Sequence, residues 1–185
     1  AEYYVDDMGK QVGVLAWALA NLSEEDVEAT LKDRDGLNPK WKGKADHERV
    51  RWYQAAQVVR QERPDKEAIE QEIGRMVHAS EHGDQGVLDA FAAAYQPVLD
   101  GMLTTLARLG ISFDTFTKES MFVTNGDVGR LMELFRTFEI HGTADNGAEF
   151  LDLGARGLKG KKEFFFRRGD GSSLYATRDI AYHMW

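Results

Sequence analysis

An α-rich α/β fold carrying a helical insertion is predicted by three observations. Short β-type stretches stand near both ends of the 185-residue chain, the long middle repeats apolar residues every three or four positions, and a glycine- and proline-bearing polar segment separates the first part from that middle. Hydrophobic residues at 43% and aromatic residues at 11% are enough to bury a core and argue against disorder.

Residues 2 to 5 read as a strand, and from Asp7 to Leu22 the apolar set Val12, Leu15, Ala16, Leu19 and Leu22 has helical spacing. Residues 32 to 46 collect Asp33, Asp35, Gly36, Asn38, Pro39 and Gly43, the composition of a surface loop bounding an insertion. Two charged amphipathic helices follow, Asp46 to Glu62 and Asp65 to Ser80, divided at Pro64, with Ile69, Ile73, Met76 and Val77 on the buried face of the second. A long helix is expected from Gln85 to about Leu109, kinked at Pro97. Ser112 to Phe116 reads as a connector or short strand, Asp127 to Phe138 as a helix, and Phe150–Leu153 and Glu163–Phe166 as short strands. Asp170-Gly171 is a turn signal before Leu174-Tyr175. The expected division is 1–31, a helical insertion over 32–110, and a mixed α/β part over 111–185, without internal repeats.

Composition limits the function. With no cysteine there is neither a disulfide framework nor a thiolate metal site, and a cytoplasmic protein is the default. No apolar run approaches the ~20 residues that cross a bilayer. A net charge of −8 is unfavourable for a general nucleic-acid binder, although local basic patches remain: Lys40, Lys42 and Lys44 in one, and Lys159, Lys161, Lys162, Arg167 and Arg168 in the other. Such runs are either solvated faces or phosphate contacts. The sequence opens directly in a strand without methionine and closes inside a helix, so it reads as a piece of a longer protein.

The segment Ser173-Leu-Tyr-Ala-Thr-Arg-Asp-Ile-Ala-Tyr-His183 joins a strand end to a helix start. Thr177 is expected as the N-cap, Asp179 in the first turn at the positive end of the helix dipole, and Tyr175 at the end of the preceding strand. Phenol and carboxylate would then converge on a crevice at a strand C-terminus, an anionic, partly aromatic pocket suited to a guanidinium. The plainer alternative is a helix-start aspartate and a packed tyrosine. A rival motif is His78-Ala-Ser-Glu81-His82, in which imidazoles at i and i+4 would share a zinc ion and Glu81 would activate water. Gly83-Asp84 stops the helix directly after His82, so the expectation is no metal.

Three stretches resemble arginyl-tRNA synthetase, a class I aminoacyl-tRNA synthetase. They are Asp170-Gly-Ser followed by Tyr175-Ala-Thr-Arg-Asp179, Phe113-Asp114 followed by Glu119-Ser120, and the opening Glu2-Tyr-Tyr-Val-Asp-Asp7-Met-Gly-Lys-Gln11. The resemblance implies part of a Rossmann-like catalytic domain interrupted by a helical insertion. Carried over by position, it makes Glu119, Tyr175 and Asp179 the arginine-binding set, places Asp7 and Gln11 at the active-site crevice, and assigns none of these residues a catalytic step. It further implies ATP, with magnesium, as cosubstrate and tRNA for arginine as partner in the full-length protein. Neither class I ATP signature, His-Ile-Gly-His-like or Lys-Met-Ser-Lys-Ser-like, stands in these residues, so the chain alone is expected to bind no ATP and to be inert. The alternatives from other classes are a helical interaction module whose ends imitate the motifs by chance, and a zinc metallopeptidase through His78, Glu81 and His82.

Overall fold

The computed structural model describes residues 1–32, 34 and 44–185, which form two compact units, Ala1–Thr117 and Lys118–Trp185. The expected loop over 32–46 falls largely outside the described residues, as do Lys40 and Lys42 of the first basic patch.

In the first unit, β1 (Glu2–Val5) forms a two-stranded sheet with β2 (Thr115–Lys118), a partner more than a hundred residues further along the chain. Tyr3 packs edge-on against Phe113 at 5.0 Å, and the buried Thr117 hydroxyl donates to Glu2, so the pairing is held from both faces. Five helices lie between the strands among the described residues: α1 (Lys10–Asn21), α2 (Glu24–Leu31), α3 (Ala45–Glu62), α4 (Lys66–Glu81) and α5 (Gln85–Ala107). Helix α1 is apolar nearly all round, and it is therefore the central one. Val14, Trp17 and Ala18 join Ala55, Ala56 and Val59 of α3 and Ile69 and Ile73 of α4 in one cluster. Val12, Leu15 and Ala16 turn the other way, onto Phe91, Ala94, Tyr95 and Leu99 of α5. Burying each such large side chain contributes about 1.5–3 kcal/mol. Polar ties fix the register: Trp17 Nε1 donates to Glu72 at 2.9 Å, and Glu70 of α4 pairs with both Lys10 of α1 and Arg60 of α3.

Helix α2 is absent from the sequence expectations because its eight residues bury only Val27 and Leu31, too few to show a period. Its signal is local instead: Ser23 accepts from the Asp26 amide while the Asp26 carboxylate accepts from the Ser23 amide, a capping box. Pro97 lies within α5, which is helical on both sides of it.

The second unit contains α6 (Glu119–Thr124), α7 (Asp127–Arg136), β3 (His141–Thr143), β4 (Glu149–Asp152), a 3-10 turn at Leu153–Arg156, β5 (Glu163–Arg167) and α8 (Tyr175–Met184). The three strands form an antiparallel meander in the order β3-β4-β5. Helices α6, α7 and α8 pack on one another, with α8 also against β5. Phe166 of β5 is fully buried and meets Phe135 of α7 at 5.2 Å, while Phe122 of α6 meets Tyr182 of α8 at 5.9 Å. Both α6 and β3 escape the sequence reading, being six and three residues long. No described helix is long and apolar enough to cross a membrane.

Candidate functional site

The turn from β5 into α8 builds the site. Asp170-Gly171 does reverse the chain: the Gly171 amide, at φ 93°, donates to Arg168 O at 3.0 Å, and the Arg168 amide donates to Ser172 O at 2.8 Å. The helix then begins earlier than its sequence suggests. Leu174 is the N-cap, with no side-chain capping bond, and Tyr175 is the first helical residue rather than the last of a strand. Thr177, expected as the cap, lies inside the helix and fully buried, because its hydroxyl has a better partner: it donates to Phe166 O at 2.8 Å. Asp179 consequently sits in the second turn, beyond the first-turn position expected for it. Tyr175 and Asp179 are spaced i and i+4 and share one helix face. The tyrosine is 67% exposed and the aspartate half-buried.

Glu119 opens α6 and is 2% exposed. Its carboxylate Oε1 lies 2.9 Å from Nε of Arg178, the neighbour of Asp179, and Arg178 is itself buried and donates from Nη1 to Ser173 Oγ at 3.2 Å. The structure thus brings Glu119 to the helix that carries Tyr175 and Asp179, through a guanidinium supplied by the chain itself. Sequence reasoning missed Arg178. The signal was its i+3 spacing from Tyr175, which places it on the same side of α8.

Asp7 and Gln11 belong to the other unit. Asp7 is buried and Gln11 exposed at the start of α1. Neither Asp6 nor Asp7 caps that helix: Gly9 is the N-cap, at φ 90°, a conformation that explains the glycine in Asp-x-Gly-x-Gln because a side chain there would be strained.

The His78/His82 pair does not form a metal-binding face. The two rings stack at 4.1 Å and 23°, which sends their in-plane lone pairs along parallel directions instead of onto one point, and His82 Nδ1 is engaged with His78 O at 2.8 Å. Among the described residues no group of three potential ligands gathers, and the metallopeptidase reading has no support. Of the second basic patch, Arg167 reaches Glu149 at 3.4 Å and Arg168 reaches Ser173 O at 2.6 Å, whereas Lys159, Lys161 and Lys162 are exposed.

No protein-family profile matches the chain. Curated proteins do. The chain is 38% identical over its whole length to an arginine–tRNA ligase of Methanocella arvoryzae and 34% identical, over 99% of its length, to that of Methanococcoides burtonii, covering 30% and 29% of those proteins. Among solved structures, arginyl-tRNA synthetase of Thermus thermophilus superposes on all of the chain with a TM-score of 0.58 at 21% identity, covering 28% of that protein. A putative arginyl-tRNA synthetase from Campylobacter jejuni gives 0.51 at 18% identity over 98% of this chain and 34% of its own. The fold is thus the mixed α/β architecture of a synthetase segment. The sequence relatives go further: over its whole length this chain is homologous to a segment of the arginine–tRNA ligases, and it spans about 30% of the length of the curated relatives it matches.

Proposed function

We propose that the chain forms the amino-acid side of an arginine–tRNA ligase, a cytoplasmic enzyme that activates arginine with ATP and transfers it to tRNA. The observation that carries this reading is the arrangement around α8, supported by whole-length homology to enzymes of that name. Tyr175 and Asp179 offer an aromatic ring and a carboxylate on one helix face. Glu119 adds a second, buried carboxylate beside the same helix, already paired with a guanidinium. Two carboxylates can engage a planar guanidinium through charge-assisted bonds, which an ammonium cannot match in geometry. The opening motif proposes Asp7 and Gln11 of the first unit as further active-site residues of the full-length enzyme.

We place ATP outside this chain because neither class I ATP signature stands in its sequence. Five of the eight α-helices among the described residues, α2, α3, α4, α6 and α7, open with carboxylates in their first turn, which already answer the positive helix end and would repel a polyphosphate. Asp84 caps α5, and α1 follows Asp6-Asp7. In this reading ATP and its magnesium would be held by other parts of a full-length enzyme, and the residues here would select and orient arginine.

The test is arginine-dependent ATP–pyrophosphate exchange by the full-length protein and by this chain. Asp179→Asn in the full-length protein should raise KM for arginine strongly, a loss of about 2–5 kcal/mol for a desolvated charge partner, with ATP binding little changed. An unchanged arginine KM and kcat would remove Asp179 from the site. The chain alone should show no exchange; a rate near the full-length enzyme's would place the ATP chemistry within these residues.

A further inference from the structure

Helix α6 is docked on α8 by two contacts one helical turn apart. Phe122, fully buried, meets Tyr182 at 5.9 Å, and a turn earlier in both helices Glu119 meets Arg178 at 2.9 Å. The aromatic contact already supplies the apolar burial that helix packing needs. A buried ion pair adds little to that, because desolvating two charges costs about as much as their attraction returns, and an apolar pair of similar volume would serve stability as well or better. What the ion pair supplies is direction.

Arg178 is held on its other side as well. Its Nη1 donates to Ser173 Oγ at 3.2 Å, Ser173 is fully buried and bridges to Arg167 of β5, and the preceding Thr177 is tied to Phe166 O. The guanidinium is thus fixed to the sheet before it reaches Glu119. A planar fork with a set direction lets the carboxylate take one orientation, where an ammonium on a flexible stem would allow several. The charges agree with this role. Together Glu119, Arg178 and Asp179 carry a single negative charge, which one substrate guanidinium cancels; the two carboxylates without Arg178 would leave a charge over. We infer that Arg178 is a positioning residue for arginine selection: it acts through Glu119, without touching the substrate, by fixing the orientation in which that carboxylate meets the incoming guanidinium. The inference rests on the reading of Glu119, Tyr175 and Asp179 as the arginine set.

The experiment is arginine-dependent ATP–pyrophosphate exchange by the full-length protein with tRNA present, measured for wild type, Arg178→Lys, Glu119→Gln and the double variant, each checked for folding by circular dichroism at the assay temperature. Lysine keeps the charge but not the fork, so Arg178→Lys should raise KM for arginine about tenfold or more and leave KM for ATP within about twofold. Glu119→Gln should also raise the arginine KM, and the double variant should be no worse than Glu119→Gln alone, because both changes act through one carboxylate. Phe122→Leu, which loosens the same two helices without touching the ion pair, should lower the melting temperature and leave the arginine KM as in wild type. Should Glu119→Gln not fold, Glu119→Asp, shorter by a methylene with the charge kept, takes its place in the cycle. An unchanged arginine KM in Arg178→Lys, an equal rise in the ATP KM, losses that multiply in the double variant, or a rise with Phe122→Leu as large as with Arg178→Lys would each overturn the positioning role and leave the arginine set standing. An arginine KM unchanged by substitution of Glu119 would instead remove Glu119 from that set, and the inference would fall with it.

Discussion

Glu119 and Arg178 have side chains only 3% and 5% exposed, so neither charge is solvated by bulk water and each depends on the other. Removing one partner of such a pair leaves a buried charge uncompensated and costs about 3–5 kcal/mol, whereas a partner that keeps the charge costs less. Arg178→Gln should therefore destabilise the chain by about 3–5 kcal/mol in urea melts, and Arg178→Lys by clearly less; equal stability of wild type and Arg178→Gln would show that the pair is not desolvated. The same pair shows what the sequence concealed. The motifs single out Glu119, Tyr175 and Asp179, but a motif gives no contacts. That Glu119 lies against a guanidinium of its own chain depends on α6 packing on α8, two helices more than fifty residues apart in sequence. Thr177 teaches the same lesson: its capping propensity is real, but a tertiary hydrogen bond to Phe166 O overrides it and the helix starts three residues early.

Between elements, the long helices were legible because period is a strong signal over sixteen residues or more, as in α3, α4 and α5, while α2, α6 and β3 were too short to display one. Helix packing shows its own constraint at Gly101 of α5. A Cβ built there would stand 2.2 Å from Asp46 Cγ and 2.5 Å from its Cβ, so α3 approaches α5 through the space that glycine leaves. Alanine is favoured over glycine in a helix interior by about 1 kcal/mol, but Asp46 cannot yield by moving only a flexible tip, and overpacking of this kind costs about 1–3 kcal/mol beyond that gain. Gly101→Ala should lower thermal stability, while Gly74→Ala in α4, where nothing lies within 4 Å, should raise it. A rise at both positions would mean that α3 and α5 part without cost.

For the whole molecule, the net charge of −8 conceals a partition. Residues 1–117 hold 13 basic and 21 acidic side chains, and residues 118–185 hold ten of each, so the entire excess lies in the first unit. An average over the chain thus argues against nucleic-acid contact while the second unit, neutral overall, concentrates cations on one hairpin. One carboxylate of the first unit couples stability to acid pH. Hydrogen bonding to Arg60, with help from Lys10, outweighs partial burial and holds the Glu70 carboxyl at about 2, down from 4.5. A depressed carboxylate pKa means that the unfolded chain takes up the proton first: the contribution is complete above about 4.5 and is lost as pH falls towards about 2. Wild type should therefore exceed Glu70→Gln in urea-derived stability near neutral pH, with the gap closing across that window. A gap that stays constant down to pH about 2 would show that the carboxylate's charge is immaterial.

One carbonyl sets how this protein tolerates insertion. Phe166 O accepts from both the Leu174 amide at 3.1 Å and the Thr177 hydroxyl at 2.8 Å, and a carbonyl has two lone pairs to offer. Residues added at the exposed tip, Gly169-Asp170, can bulge outward and leave both bonds in place. A residue added between Leu174 and Thr177 cannot, since keeping one bond breaks the other, and every later side chain of α8 turns by about 100° relative to its neighbours. Arg178 would leave Glu119, and Asp179 would leave the face it shares with Tyr175. Length variation in this segment should therefore be confined to the tip of the turn, with the distance from Leu174 to Asp179 held constant.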